Sequence, residues 1–240
     1  MTAKPNRTLC VVPARGGSKR VPRKNVRPVA GVPMLQRTLE IVVASGVADR
    51  VIVSTDDDEI ATVARSAGAE VPFMRPAHLA DDHTPTAPVI SHAIATVEAL
   101  GGDPFDYVVV VYPTAILLDP HDLRSARDSI VGTDHQVAFS VCRYPAPIER
   151  AWKRTSSGVG AMRQPEHALT RTQDLEPAYY DAGQFYFGTR GFWEAGGALS
   201  EASPLLIELP PWRAIDIDTE DDLELAARWL QTRPLSVDEG

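Results

Sequence analysis

The sequence predicts an α/β fold built on a mostly parallel sheet, and three observations carry that expectation. Short apolar runs alternate with helical patterns of roughly 10–15 residues, the rhythm of right-handed βαβ units. Residues 107–111 (YVVVV) are continuously apolar, as in a strand covered on both faces. The 240-residue chain is 44% hydrophobic and 23% charged, an ordinary globular composition that excludes a disordered or low-complexity chain. No internal repeat and no Gly/Ser linker divides it, so residues 1–240 are expected to form one domain.

Residues 9–12 (LCVV) read as a buried first strand. Beyond a basic loop, Leu35, Leu39, Val42 and Val43 fall at i, i+4, i+7 and i+8. That spacing predicts a helix with one buried face, which Gly46 stops. Residues 50–54 (RVIVS) supply a second strand. Thr55 and Asp56, followed by Asp58 and Glu59, make a capping-box pattern ahead of a helix carrying Ile60, Val63, Ala64 and Ala67. Gly68 ends it, and a short strand is expected at residues 70–73. A polar loop at 75–84 leads to a helix carrying Ile90, Ile94 and Val97. After the 107–111 strand, Asp119 and Pro120 open another helix, and residues 136–141 form another strand.

Residues 144–179 break the rhythm. They are rich in Pro, Gly and Arg with weak periodicity, and read as an excursion from the sheet. Strands follow at 181–188, near 205–209 and at 214–217. A last helix carries Leu223, Ala226, Ala227 and Leu230, and residues 233–240 are expected to fray.

Charge is unevenly spread. Lys plus Arg is 24 and Asp plus Glu is 32, a net charge of -8. Six basic residues and no acid lie between Arg15 and Arg27, namely Arg15, Lys19, Arg20, Arg23, Lys24 and Arg27. Removing them leaves 18 basic against 32 acidic residues, or -14. Such an acidic body argues against nucleic acid or an anionic membrane as partner. Cys10 and Cys142 each sit in an apolar run, which suits buried thiols in a reducing compartment better than a disulfide. No apolar run approaches the roughly 18 residues that span a membrane. The start, MTAKPNRT, leads into too few apolar residues for a signal peptide, so a cytoplasmic protein is expected.

The basic loop, residues 11–25 (VVPARGGSKRVPRKN), begins as a strand ends, where open α/β sheets form ligand sites. Gly16 and Gly17 allow close backbone approach, and the Lys and Arg side chains can neutralise phosphate oxygens. The spacing is neither GxxxxGK[ST] nor GxGxxG, which disfavours a P-loop or dinucleotide fold. A solvated basic turn is the plain alternative. The strand-end position and paired glycines favour an anion site.

Asp216 and Asp218 alternate around Ile217 on the predicted 214–217 strand, so both carboxylates would share a face. Two hard oxygen ligands suit Mg²⁺. Asp218 or Thr219 could equally cap the following helix, and the residues alone leave that open. Asp221 and Asp222 fit the helix's first turn. The polar loop offers Arg75, Asp81, Asp82, Thr84 and Thr86 as binding groups. His78 and His83 read as surface residues, and six scattered histidines without HxH or HxxxH spacing give no zinc site.

These motifs resemble the cytidylyltransferases that act on acidic sugars, the family containing the acylneuraminate and 3-deoxy-manno-octulosonate enzymes. The resemblance runs through the basic loop, Ser54-Thr55-Asp56, Arg75-Pro76-Ala77, Tyr112-Pro113-Thr114, residues 170–175 (TRTQDL), Tyr180-Asp181-Ala182-Gly183 and Asp216-Ile217-Asp218. It implies a three-layer α/β/α nucleotidyltransferase fold with a Rossmann-like sheet. It also implies a homodimer whose 144–179 insertion makes the dimer contact and reaches the partner's site. By the resemblance, Ala14, Arg15, Gly16, Gly17, Ser18, Lys19, Asn25, Arg75, Thr84 and Thr86 bind the nucleotide. Tyr112, Thr114, Arg150, Arg171, Gln173, Gln184 and Tyr186 face the sugar, and Asp216 and Asp218 hold Mg²⁺.

The implied reaction transfers CMP from CTP to the anomeric hydroxyl of a nine-carbon acidic sugar and releases pyrophosphate. Arg15, Lys19, Asp216 and Asp218 would be its catalytic groups, with no side chain standing out as a general base. The sialic acid enzymes carry Gln before Pro-Thr-Ser, whereas this chain has Tyr112 before Pro113-Thr114-Ala115. That departure favours another nine-carbon acid, with pseudaminic acid ahead of sialic acid, 3-deoxy-manno-octulosonate or a phosphonate. A non-catalytic nucleotide-binding domain is the alternative of a different class.

Overall fold

The computed structural model describes residues 6–101 and 103–232. In chain order the strands are β1 (Thr8–Pro13), β2 (Pro28–Val29), β3 (Val32–Pro33), β4 (Arg50–Ser54), β5 (Tyr107–Val111), β6 (Val137–Arg143), β7 (Trp152–Arg154), β8 (Gly160–Met162), β9 (Tyr179–Thr189) and β10 (Leu205–Glu208). The α-helices are α1 (Met34–Ser45), α2 (Asp58–Ser66), α3 (Thr86–Ala99), α4 (Pro120–Ile130), α5 (Arg190–Glu194) and α6 (Glu220–Thr232).

Six strands form the central sheet in the order β10-β6-β9-β5-β1-β4. β1 pairs in parallel with β4 and β5, β10 pairs in parallel with β6, and β9 runs antiparallel between β5 and β6. The mostly parallel α/β expectation therefore holds. Alternation along the apolar strands makes the layers. Cys10, Val12, Val53, Val109 and Val111 pack with Leu35, Leu39, Ile60 and Leu123 on one face. Leu9, Val11, Ile52, Val108 and Val110 pack with Ile90, Ile94, Phe192 and Trp193 on the other. A third cluster joins Val29, Met34, Ile116, Leu117, Ile217 and Ala226, tying α6 to the region of the basic loop.

Several sequence expectations need correction. Residues 70–73 form no strand: Glu70 makes one bridge with Ile52, and Met74, just beyond, another with Thr55. Pro72 has no N–H to continue a ladder. Residues 214–217 are not a strand either, since Ile217 anchors in the third cluster away from any ladder. The cap of α2 is Asp57, whose carboxylate accepts from the Glu59 and Ile60 N–H groups, while Asp56 turns to the N–H of Gly16. Val43 is exposed. Thr38 joins the buried face instead, its hydroxyl donating to the Pro113 carbonyl at 3.0 Å. Residues 233–240, expected to fray, lie outside the described residues.

β9 is longer than expected and irregular. Tyr186 pairs with Phe139 and Asp181 with Val141, so the intervening residues bulge. Gly183 turns there with φ of 61°, and Ser140 Oγ accepts from the N–H groups of Gln184 and Phe185. Residues 144–178 depart from the end of the β6–β9 pair as 3₁₀ turns and the β7–β8 hairpin.

Candidate active site

The basic loop leaves the carboxyl end of β1 and is pinned by two buried residues, Val21 and Asn25. Asn25 Nδ2 donates to the Arg15 carbonyl at 2.9 Å, closing the loop onto itself. The glycines act differently from expectation. Gly16 N–H donates to Asp56 at 3.0 Å, and a Cβ on Gly16 would lie 2.7 Å from an Asp57 carboxylate oxygen. Gly16 is thus needed for contact with the start of α2. Gly17 is exposed with open space around it. Ala14 is fully buried, with its N–H donated to Ser54 at 3.0 Å.

Every cation of the loop meets a carboxylate. Arg15 contacts Asp82 at 2.5 Å and Lys19 pairs with the same carboxylate. Those two partners, Lys19 first, hold Asp82 ionised down to about 2. Arg20 reaches Asp218 at 2.8 Å, and Lys24 Nζ reaches it at 3.1 Å while donating to the Ile217 carbonyl at 2.8 Å. Arg23 faces Asp57 and Glu59, and Arg27 faces Glu220.

Three adjoining clefts open here. One, of about 290 Å³, is lined by Pro13, Arg75, Leu79, Val89, Tyr112 and Thr114 among others, with Thr84 and Thr86. A second, of about 330 Å³, is lined by Ser18, Lys19, Arg20 and Asp218. Arg15, Lys24, Asn25 and Asp82 line both. The third, of about 240 Å³, shares Thr86 and Tyr112 with the first and adds Tyr186, Phe192, Trp193 and Gly197. No histidine lines any of them.

Arg75 is buried against Ser54, donating to both its hydroxyl and its carbonyl. Burial lowers its pKa to about 10. Asp81 accepts from the N–H groups of His83 and Thr84 and from the Thr84 hydroxyl, which folds the polar loop and presents Thr84. Thr86 and Tyr112 join hydroxyl to hydroxyl at 2.5 Å. Tyr186 donates to Asp181 at 2.6 Å. Burial, then the hydrogen bond to Asp181 and its charge, push the Tyr186 phenol up, and burial raises Tyr112 against the opposing Thr86 bond.

The capping alternative for the acidic pair is resolved by Thr219 and Asp222. The Asp222 carboxylate accepts from the N–H groups of Asp218 and Thr219, and Thr219 Oγ accepts from the Asp222 N–H. Asp218 is therefore spared for the cations. Asp216 lies close enough to feel Asp218, Lys24 and Arg20. Burial and then the Asp218 charge raise its pKa, against the opposing pull of the two cations. The alternation of the two aspartates around buried Ile217 survives without a strand.

Not all expected residues converge. Gln184 is buried, its amide donating to the Ala182 carbonyl, and its own carbonyl accepts from the Tyr112 N–H at 3.0 Å. Arg150 and Arg171 lie in the excursion, Arg171 paired with Asp174, and Gln173 is exposed beside it. None of these three lines the clefts above. Asp82, one of the binding groups expected of the polar loop, takes its place between the two lobes, and Lys24 and Asp181 have places at the site that the residue pattern did not single out. Six similar cations gave no cue to Lys24, and Asp181 depends on the β9 bulge.

Residues 9–193 match the family described as Cytidylyltransferase. The chain is 36% identical over 92% of its length to pseudaminic acid cytidylyltransferase of Campylobacter jejuni, covering 94% of that protein. It is 31% identical to CMP-N,N'-diacetyllegionaminic acid synthase of Legionella pneumophila, over 94% of this chain and 97% of that one. Among solved structures, a CMP:2-keto-3-deoxy-manno-octonic acid synthetase complexed with CTP superposes with a TM-score of 0.69 at 17% identity, covering 95% and 99% of the two chains. The family match and the two sequence relatives agree across the strands that carry the clefts: this chain belongs to the cytidylyltransferase family.

Proposed function

We propose that this cytidylyltransferase transfers CMP from CTP to the anomeric hydroxyl of a nine-carbon acidic sugar, pseudaminic acid first among them, and releases pyrophosphate. The observation that carries the reading is the junction of three clefts at the carboxyl ends of β1 and β5: a half-apolar lobe, a cationic lobe and an aromatic pocket. The names of the Campylobacter and Legionella relatives support the choice of sugar class.

In this reading Arg75, Thr84 and Thr86 hold the nucleoside, with Ala14 and the loop glycines shaping the backbone around it. Arg15, Ser18 and Lys19 hold the triphosphate, joined by Lys24, in exchange for their carboxylate partners. The anomeric oxygen attacks the α-phosphorus in line, and the bond to the departing pyrophosphate breaks as the new bond forms. Fixed cations offset the charge spread over the phosphate oxygens.

Asp216 and Asp218 fit Mg²⁺. Both are hard oxygen donors, neither is spent on capping, and their mutual repulsion is balanced in the structure by Lys24 and Arg20. When bound, the ion supplies charge neutralisation at the phosphates and polarises a reacting oxygen. Tyr112, Thr114 and Tyr186 line the sugar side, with Gln184 holding Tyr112 from behind.

The reading includes a cytoplasmic homodimer in which the excursion of one copy brings Arg150, Arg171 and Gln173 to the sugar carboxylate of the other. Exposed Ile148, Trp152, Val159 and Leu169 on the excursion support that contact. Among the described residues no helix is long and apolar enough to cross a membrane. The test is pyrophosphate release with CTP, UTP, ATP and GTP against pseudaminic acid, N-acetylneuraminate and 3-deoxy-manno-octulosonate. Release with CTP and pseudaminic acid is expected. Nucleotide binding with no release on any sugar would leave a binding domain instead.

A further inference from the structure

Residues 214–218, which carry both proposed metal ligands, belong to no helix and no strand. Without a hydrogen-bonded ladder, side chains must fix where Asp216 and Asp218 stand. Ile217, between them, is fully buried in one cluster with Ile116 and Leu117 from the loop after β5. Thr219 and Asp222 hold the end of the segment at the start of α6. Its beginning is held by Arg213, whose guanidinium forks onto the Asp122 carboxylate of α4, Nη2 donating to Oδ1 at 3.2 Å and Nη1 to Oδ2. Among the described residues this is the most buried ion pair, with 17% of the Arg213 side chain and 9% of the Asp122 side chain exposed.

Asp122 is itself fixed. Its carboxylate also accepts from the Asp119 N–H at 3.0 Å, within the capping box that starts α4. Two parallel bonds to a rigid helix end set direction as well as distance, which a single point contact does not. Neither Arg213 nor Asp122 lines any of the three clefts. Their route to the site is the backbone that joins Arg213 to Asp216, three residues on. We infer that the Arg213–Asp122 pair is a positioning device that sets Asp216 and Asp218 for the metal, without either residue touching nucleotide or sugar. The inference rests on the metal reading of the two aspartates above.

The test is calorimetric binding of CTP without sugar, once in EDTA and once with saturating Mn²⁺. It compares the wild type with Arg213→Gln, Arg213→Lys, Asp122→Asn and the Arg213→Gln/Asp122→Asn double variant. The wild type is expected to bind CTP more tightly with Mn²⁺. That gain should fall about tenfold in Arg213→Gln and in Asp122→Asn, while affinity in EDTA stays within about twofold of the wild type. The double variant should lose no more than either single one, because the two residues act through one contact. Arg213→Lys keeps the charge without the fork and should fall between. A merely structural role would lower the fraction of protein that binds, and would leave this ratio within each variant unmoved. A gain kept in full by folded Arg213→Gln overturns the inference, as does an affinity in EDTA that falls as far as the affinity in Mn²⁺. So do losses that add in the double variant. Should Arg213→Gln not melt cooperatively, Arg213→Lys decides by the same criteria. A wild type that gains nothing from Mn²⁺ refutes the metal reading itself, and the inference with it.

Discussion

Asp218 sits where two opposite demands meet: it balances Arg20 and Lys24 in the free chain, and it is a proposed metal ligand in the working enzyme. Both partners reach it from a loop that is partly in water, so removing the carboxylate leaves cations that solvent can hydrate. Asp218→Ala is therefore expected to abolish pyrophosphate release while the circular dichroism spectrum and the cooperative melt persist. Near-normal release would remove the metal assignment. Arg15 tests the other side of the exchange. Its guanidinium serves both lobes, and Arg15→Ala should cut kcat/KM for CTP about 100-fold, near 2.7 kcal/mol for a lost charged contact. Unchanged CTP kinetics would move the triphosphate elsewhere. The basic loop was legible because its cations are contiguous in sequence. Which of them serves the site was not, because Lys24 and Arg23 look alike in sequence and differ only in the carboxylates that the fold sets opposite them.

Helix α2 couples stability to the site through its first turn. Asp57 caps two N–H groups, and the same carboxylate leaves no room for a side chain on Gly16. Asp57→Ala should lower stability by about 1 kcal/mol, the usual worth of such a cap, read as a shift in urea midpoint. Gly16→Ala should shift it in the same direction, because the new Cβ displaces the cap. If Gly16→Ala melts like the wild type, the glycine answers to the ligand instead. The sequence pattern placed the helix correctly and missed its cap by one residue. Capping-box spacing is local, whereas the turning of Asp56 toward Gly16 is a tertiary contact. The two expected strands that did not form, at 70–73 and 214–217, fail for the same kind of reason. Alternation is written in the chain, but a strand also needs a neighbour with free N–H and C=O groups, and Pro72 and the third hydrophobic cluster deny it.

At the scale of the molecule, the sheet and its two helical layers could be read from apolar runs, while three of the residues expected at the sugar do not line the clefts of this chain. Arg150, Arg171 and Gln173 stand away from the clefts, on the same excursion that exposes Trp152 at 68% and Leu169 at 96% of their surfaces. Large apolar side chains so exposed on one segment mark a contact surface. In the proposed homodimer, a second copy that covers them would also bring the three polar residues toward the clefts. Trp152→Glu places a charge in that contact, and burying an unpaired carboxylate is costly. Sedimentation should give a dimer for the wild type and a monomer for Trp152→Glu. The variant should lose turnover with the sugar while binding CTP alone with unchanged affinity, because the nucleotide lobes belong to one chain. A wild-type monomer that is fully active would sever the excursion from the reaction, and a monomeric variant with weakened CTP binding would show that the excursion supports the nucleotide rather than the sugar.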